Sequence, residues 1–306
     1  MWLTEGGAMI QISRILCPVD FSEFSKRALD HAVAMAKWYD SRLVVLHVFA
    51  NLAATDLPPI ELTAEERERL TADMRALLDK RPSDLPTEFV IREASDVRCE
   101  ILDQIDALKA DVLVIGSHGR SGFERLLLGS VTEKVLRKAA CPVMVVPRHA
   151  SDADPDVPVH FRRILCPVDF SEGSLSALMH ALSIAEEADA RLTLMHSIEM
   201  PPELREHYPI GSDIDIDQLH AAAEAASLRR LRELVPTSAK TYCTVETLVR
   251  EGAAYRQILK VGAEQDSDLI VMGVQGRGAL DLLVFGSNTA RVIRAASCPV
   301  LTVPQR

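Results

Sequence analysis

The chain has 306 residues, 48% of them hydrophobic and 25% charged, and its formal net charge is −10. That composition suits a globular protein with a packed core, and no apolar run approaches the ~18 residues of a membrane span, which excludes a helical membrane protein. The acidic balance disfavours a nucleic-acid backbone as partner and leaves small ligands open.

Met1 to Ser13 carries Glu5 but no basic residue and no long apolar stretch, so no secretory leader is expected and the cytoplasm is the expected location. Arg14 to Val19 reads as a strand. After it, Ala28, Leu29, Ala32, Val33 and Ala36 recur at helical spacing on one face. Arg42 to Phe49 is the second strand, and Thr63-Ala-Glu-Glu66 forms a capping box that opens a helix with Leu70, Met74, Leu77 and Leu78 inward. A third strand follows at Glu88 to Ile91, a helix at about Asp96 to Leu108, and a fourth strand at Asp111 to Gly116. The next helix starts near Ser130, and Pro142 to Val146 is the fifth strand. The strands are near-continuous Val/Ile/Leu runs, the pattern of a parallel sheet covered by helices on both faces.

The whole order then repeats. Ile15 to Glu23 returns residue for residue as Ile164 to Glu172, 149 positions later, together with the pairs His31/His180 and His47/His196. The helical stripe returns as Ala177, Leu178, Ala181, Leu182 and Ala185. Gly116, Gly119, Gly129 and Ser130 return as Gly273, Gly276, Gly286 and Ser287, 157 positions later, so the second copy gains eight residues, placed at Tyr208 to Asp217. Copies of this length are domains and not solenoid repeats. The expected architecture is α/β: two tandem doubly wound domains, 1–150 and 161–306, each a five-stranded parallel sheet of order 3-2-1-4-5, joined by a linker at Ser151 to His160. Cys17, Cys166, Cys141 and Cys298 each precede a proline beside an apolar run and read as buried small hydrophobes, without metal-ligand spacing.

In a doubly wound sheet the ligand lies outside the carboxyl ends of the strands where the winding reverses, here between strands one and four. Strand one ends on Asp20, or Asp169 in the second copy, and strand four ends on the glycines. Gly116 and Gly119 would let backbone approach a phosphate, and Gly129-Ser130 stands where a helix begins, with its exposed N–H groups and dipole. Arg120, matched by Arg277, could add charge. The plainer alternative is that the glycines make turns and Ser130 is an N-cap. Asp20 could hold a ribose, bind magnesium or cap the next helix. His118 lies inside the first loop and could touch phosphate or act as a base. His31 and His47 suit packed, hydrogen-bonded histidines better than metal ligands.

These features together, the early strand ending in Asp and G-x2-G-x9-G-S after a later strand, resemble the universal stress protein family in tandem form. The likeness covers Ile15 to Glu23, Leu46 to Val48, Gly116 to Val131 and Cys141 to Val146, then much of the same set from Ile164 to Val303. It implies ATP as ligand, with magnesium bridging the phosphates. Adenine and ribose would lie near Pro18, Val19, Asp20 and the backbone around Val48, and phosphates on Gly116, Gly119, Gly129, Ser130 and Val131. The matching positions of the second copy are Pro167, Val168, Asp169, Gly273, Gly276, Gly286 and Ser287. That copy departs in having Ser197 for Val48, Val274 and Gln275 for Ser117 and His118, and Asn288 for Val131.

Rapid phosphoryl transfer is not expected, since G-x4-G-K-[S/T] is absent and each site offers one certain carboxylate. Slow hydrolysis in the same crevice is the alternative. A receiver domain would need an acceptor Asp after the third strand, which Glu88 to Ala94 does not supply. Pyrophosphate-loop and dinucleotide folds would place their glycines after the first strand. The function expected is an ATP-binding stress-response regulator or sensor. An apolar fifth strand at each domain's edge invites pairing, so the domains are expected to meet through their fifth strands as an intramolecular pseudo-dimer, with a homodimer possible.

Overall fold

The computed structural model describes residues 10–51, 61–79, 84–119, 128–150, 161–199, 216–275 and 286–305. The linker, the proposed insertion apart from Ile216 and Asp217, and Arg120, Gly276 and Arg277 lie outside the described residues.

The first half runs β1 (Arg14–Pro18), α1 (Glu23–Tyr39), β2 (Arg42–Ala50), α2 (Ala64–Ala76), β3 (Thr87–Ala94), α3 (Val97–Leu108), β4 (Val112–Gly116), α4 (Ser130–Lys138) and β5 (Val143–Val146). The second half repeats it as β6 (Arg163–Pro167), α5 (Glu172–Ala188), β7 (Arg191–Ile198), α6 (Ile216–Glu233), β8 (Thr244–Glu251), α7 (Ala254–Glu264), β9 (Leu269–Gly273), α8 (Ser287–Ala295) and β10 (Val300–Val303), with one further helical turn at Ala239–Tyr242. The ten described strands lie in one sheet of order β3-β2-β1-β4-β5-β10-β9-β6-β7-β8. Each half therefore has the order 3-2-1-4-5, and the two halves are mirrored along the sheet.

Alternation within each strand decides which helix layer it feeds. Ile15, Cys17, Leu43, Val45, Val112 and Val114 join a core under α1 and α2. Leu16, Val44, Leu46, Leu113 and Ile115 join another under α3 and α4. The first core is continuous between the halves, for it also contains the α5 stripe Ala177, Leu178, Ala181, Leu182 and Ala185. At the middle of the sheet β10 runs antiparallel to β5, with Leu301 opposite Met144 and Thr302 opposite Val143. Thr302 Oγ1 also donates to the Val143 carbonyl at 3.0 Å.

Local signals account for the element ends. Thr63 and Glu66 form the reciprocal capping box of α2. Asp96 caps α3 by accepting from the Arg98 N–H. Leu77 and Leu78 fall just beyond α2 and are only partly buried, whereas Met74 is fully buried. The third strand is longer than its apolar stretch: pairing with β2 carries it from Thr87 to Ala94, through Arg92 and Glu93, because backbone bonding continues where the side chains reach solvent.

Candidate functional site

β1 and β4 are neighbours whose following helices pack on opposite faces of the sheet, so their carboxyl ends open a crevice. On the β1 side the chain turns sharply. Val19 N–H donates to the Leu46 carbonyl at 2.7 Å, and Phe21 takes φ 64°. Asp20 Oδ1 accepts from the Ser22 N–H at 3.0 Å and from Ser22 Oγ at 2.5 Å. Ser22 in turn caps α1. Asp20 is thus oriented by the first turn of α1 without being its N-cap.

Behind this turn, His47 Nδ1 lies 2.8 Å from the Val19 carbonyl, so that nitrogen carries the proton and donates. Its ring packs on Phe21 at 4.9 Å between centroids. The second half repeats the pair with His196 Nδ1 at 2.7 Å from the Val168 carbonyl. His31 Nδ1 lies 3.0 Å from the Arg27 carbonyl. These histidines are packed and hydrogen-bonded. Among the described residues no group of three or more His, Cys, Asp or Glu side chains is placed to hold a metal ion.

The β4 side gives the four small residues separate duties. A Cβ on Gly116 would stand 2.8 Å from the Phe24 carbonyl oxygen, so β4 needs glycine there to pass under α1 whatever ligand is present. One on Gly129 would stand 3.2 Å from the Ser117 oxygen and 3.3 Å from the His118 Cα. Gly129 N–H donates to that Ser117 oxygen at 3.0 Å and pins together the two ends of the loop. Gly119 faces the crevice: its Cβ would stand 2.8 Å from Asp20 Oδ2. The motifs after β1 and β4 therefore meet directly, although Asp20 and Gly119 lie 99 positions apart in the chain.

Gly129, not Ser130, is the N-cap of α4, and it supplies no side-chain hydrogen bond. The reading of Ser130 as a cap is corrected, because Ser130 is already the first helical residue. Glu133 N–H is the first to find an intrahelical carbonyl, that of Gly129, at 2.9 Å. The N–H groups of Ser130, Val131 and Thr132 precede it and have no such carbonyl to reach. Thr132 Oγ1 is turned back to the Gly116 carbonyl at 2.8 Å and fixes the helix against the end of β4.

The second crevice keeps this frame. Ser171 bonds Asp169 as Ser22 bonds Asp20. Gly286 N–H donates to the Val274 oxygen at 3.0 Å, and Thr289 to the Gly273 carbonyl at 3.1 Å. Pro167 and Val168 occupy the places of Pro18 and Val19. Val48 lies on β2 opposite Arg92, while its counterpart Ser197 donates to the Gly252 carbonyl, so the strand end is tied differently.

Three residues beside the first loop escape motif reading. Phe24 packs on His118 with centroids 5.5 Å apart, Arg148 lies 5.9 Å from the Phe24 ring centre, and Arg27 Nη1 donates to the Arg148 carbonyl at 2.8 Å. The signal that would have found them is a comparison of the copies where they differ. A cavity of about 330 Å³ lies away from this crevice, lined by Ile10, Ile12, Asp111, His180, Ile184 and Leu301. It sits at the amino ends of the strands, where Asp111 is engaged with the N–H groups of Ser13 and Arg14.

Comparison with known proteins agrees with this frame. The model of the universal stress protein family matches residues 11–147 and again 160–304. A universal stress protein of Mycolicibacterium smegmatis is 37% identical over 95% of this chain and 97% of its own. A universal stress protein structure from Archaeoglobus fulgidus superposes over 97% of each chain with a TM-score of 0.68 at 22% identity, a likeness of fold. A universal stress protein solved in complex with cAMP aligns with 48% of this chain and 100% of its own, at 23% identity and a TM-score of 0.35. That short overlap says nothing of where a ligand would lie here.

Proposed function

This chain belongs to the universal stress protein family, and on that footing we propose that it binds ATP in the crevices between β1 and β4 and between β6 and β9, as a regulator or sensor without rapid turnover. The observation that carries the proposal is the meeting of Asp20 with Gly119 beside the first turn of α4, which no side chain caps. In this reading the backbone of Pro18, Val19 and Val48 holds adenine and ribose with Asp20. Gly119, Arg120, Gly129, Ser130 and Val131 hold phosphates, on N–H groups favoured by the helix dipole. Gly116 shapes the crevice floor. Pro167, Val168, Asp169, Gly273, Gly276, Arg277, Gly286 and Ser287 do the same in the second half.

Magnesium fits this site as a companion of the phosphates, because that ion is commonly held by one or two carboxylates plus substrate phosphate, and Asp20 is the carboxylate at hand. Two units, 1–150 and 161–306, acting as an intramolecular pseudo-dimer joined through β5 and β10, complete the proposal. It is supported by the antiparallel register of those strands. No described helix is long and apolar enough to cross a membrane, which is compatible with a cytoplasmic role.

The test is extraction of natively purified protein and identification of its bound nucleotide by mass, counted per chain. ATP at 100 times its dissociation constant should add about 2.7 kcal/mol of stability. Gly119→Val, whose side chain would intrude on Asp20, should remove the first crevice's share of that gain in a folded protein. An unchanged ATP shift in this variant refutes the site, and ADP release well above ~1 s⁻¹ refutes the non-enzymatic reading.

A further inference from the structure

The shared fold requires the two crevices to agree in frame but not in charge, and they do not agree in charge. In the first half Phe24, Lys26 and Arg27 lie on α1, His118 on the loop after β4 and Arg148 just after β5, and the same places in the second half hold Gly173, Leu175, Ser176, Gln275 and Gln305. The correspondence follows from the structure. Ser22 and Ser171 cap equivalent helices, and Arg148 and Gln305 each come two residues after β5 and β10. Lys26 is paired with Glu23 at 2.7 Å. The other four places hold two guanidinium groups, an imidazole and an aromatic ring against four neutral residues with no ring, and Glu23 feels the charge of Arg27 as well as that of Lys26.

These four residues form a connected group. His118 Nδ1 lies 2.9 Å from Ser117 Oγ, its ring packs on Phe24, Arg148 lies 5.9 Å from the centre of that same ring, and Arg27 donates to the Arg148 carbonyl. The group also borders the phosphate-facing helix end, because the His118 Cα is 3.3 Å from where a Cβ on Gly129 would stand. In the second half Gln305 Nε2 instead donates to Glu172 Oε2 at 2.9 Å, which directs that position to an acid on the first turn of α5. Guanidinium groups match phosphate oxygens by paired, charge-assisted hydrogen bonds. Here two of them, from α1 and from just after β5, meet through the Arg27–Arg148 hydrogen bond, whereas the second half has Arg230 4.0 Å from the Phe170 ring centre.

We propose that Phe24, Arg27, His118 and Arg148 form an anion subsite at the mouth of the first crevice that takes the distal phosphates of an oligophosphate-bearing nucleotide. The second crevice, lacking it, holds ATP less tightly and distinguishes less between ATP and a ligand with fewer phosphates. The proposal rests on the nucleotide reading and assigns the two sites different selectivity.

The experiment is calorimetric titration of the full chain with ATP, AMP and inorganic tripolyphosphate at fixed ionic strength. It compares the wild type, an Arg27→Ser/Arg148→Gln variant carrying the second half's residues, and the reciprocal Ser176→Arg/Gln305→Arg variant. The first variant should lose about tenfold in affinity for ATP and tripolyphosphate, a change of ~1.4 kcal/mol, with AMP binding unaltered. The reciprocal variant should raise ATP affinity at the second crevice. Wild-type ATP and tripolyphosphate affinities in the first variant overturn the subsite, as does a loss of AMP binding in the same proportion. If tripolyphosphate binds in an arginine-dependent way while neither nucleotide binds, the subsite stands and the nucleotide reading falls. If ATP binds both crevices equally and tripolyphosphate binds neither, the reverse holds. Absence of all binding overturns both.

Discussion

Replacement of Gly116 by alanine separates a packing duty from a ligand duty. The added Cβ would stand 2.8 Å from the Phe24 carbonyl oxygen, 3.0 Å from its carbonyl carbon and 3.2 Å from its Cβ. The first two are backbone atoms, so no rotamer change relieves them and α1 must move off β4. That helix is anchored by Ala28, Leu29, Ala32, Val33 and Ala36, each at most 1% exposed, and a packed core resists such a shift. Overpacking of this kind costs ~1–3 kcal/mol. The middle of that range corresponds to a fall of about 4–8 °C in Tm for a unit of this size. Urea unfolding and scanning calorimetry without nucleotide measure the effect. Gly273→Ala should behave alike, its Cβ standing 2.7 Å from the Gly173 carbonyl carbon. A nucleotide-free Gly116→Ala protein within ~0.5 kcal/mol of wild type, the range of an inconsequential surface change, would refute the packing account and return Gly116 to the ligand.

Thr63→Ala should cost about 1 kcal/mol in urea unfolding by removing the capping box of α2; no loss would show that α2 does not unfold with the core. Asp96 is held well below the usual carboxylate range first by the Arg98 guanidinium and then by the Lys134 ammonium. Its folded value lies below an unfolded value of ~3.9, so its contribution is present above that pH and lost as pH falls. The stability gap between wild type and Asp96→Asn should be level from pH 7 to 5 and close below about pH 4; a gap that persists unchanged under strong acid would contradict this. Cys99 is the exposed thiol of six, whereas burial pushes Cys141 and Cys298 up to about 12. A thiol reagent at pH 8 should therefore modify Cys99 quickly and the others only on unfolding, and fast reaction of a second cysteine would count against the buried assignment.

Some site features were legible because their causes are local. The duplicated Pro-Val-Asp-Phe-Ser turn and the Thr63–Glu66 capping box depend on residues a few positions apart, and the α1 stripe follows from helical spacing alone. The duties of Gly116 and Gly129 were not legible. Each small residue at those positions is demanded by a backbone that arrives from elsewhere, α1 for the one and the start of the same loop for the other. Ser130 misleads for a related reason: serine is a common cap, but Gly129 already occupies the cap position once its N–H is drawn to Ser117.

The sequence by itself determined the repeat, the order of strands and helices, the family and the two short segments that matter most, because periodicity and duplicated motifs are written in consecutive residues. Only the tertiary structure decided which residues surround those segments. Gly119 faces Asp20, His47 holds the turn before it, and Arg148 reaches Phe24 across 124 positions of chain. It also decided the direction and register of the expected fifth-strand seam, where Val143 to Val145 run antiparallel to Val300 to Thr302. The physical reason is that these contacts depend on how helices and strands pack in three dimensions, and a side chain's neighbours across a sheet or at a helix end are independent of its neighbours along the chain.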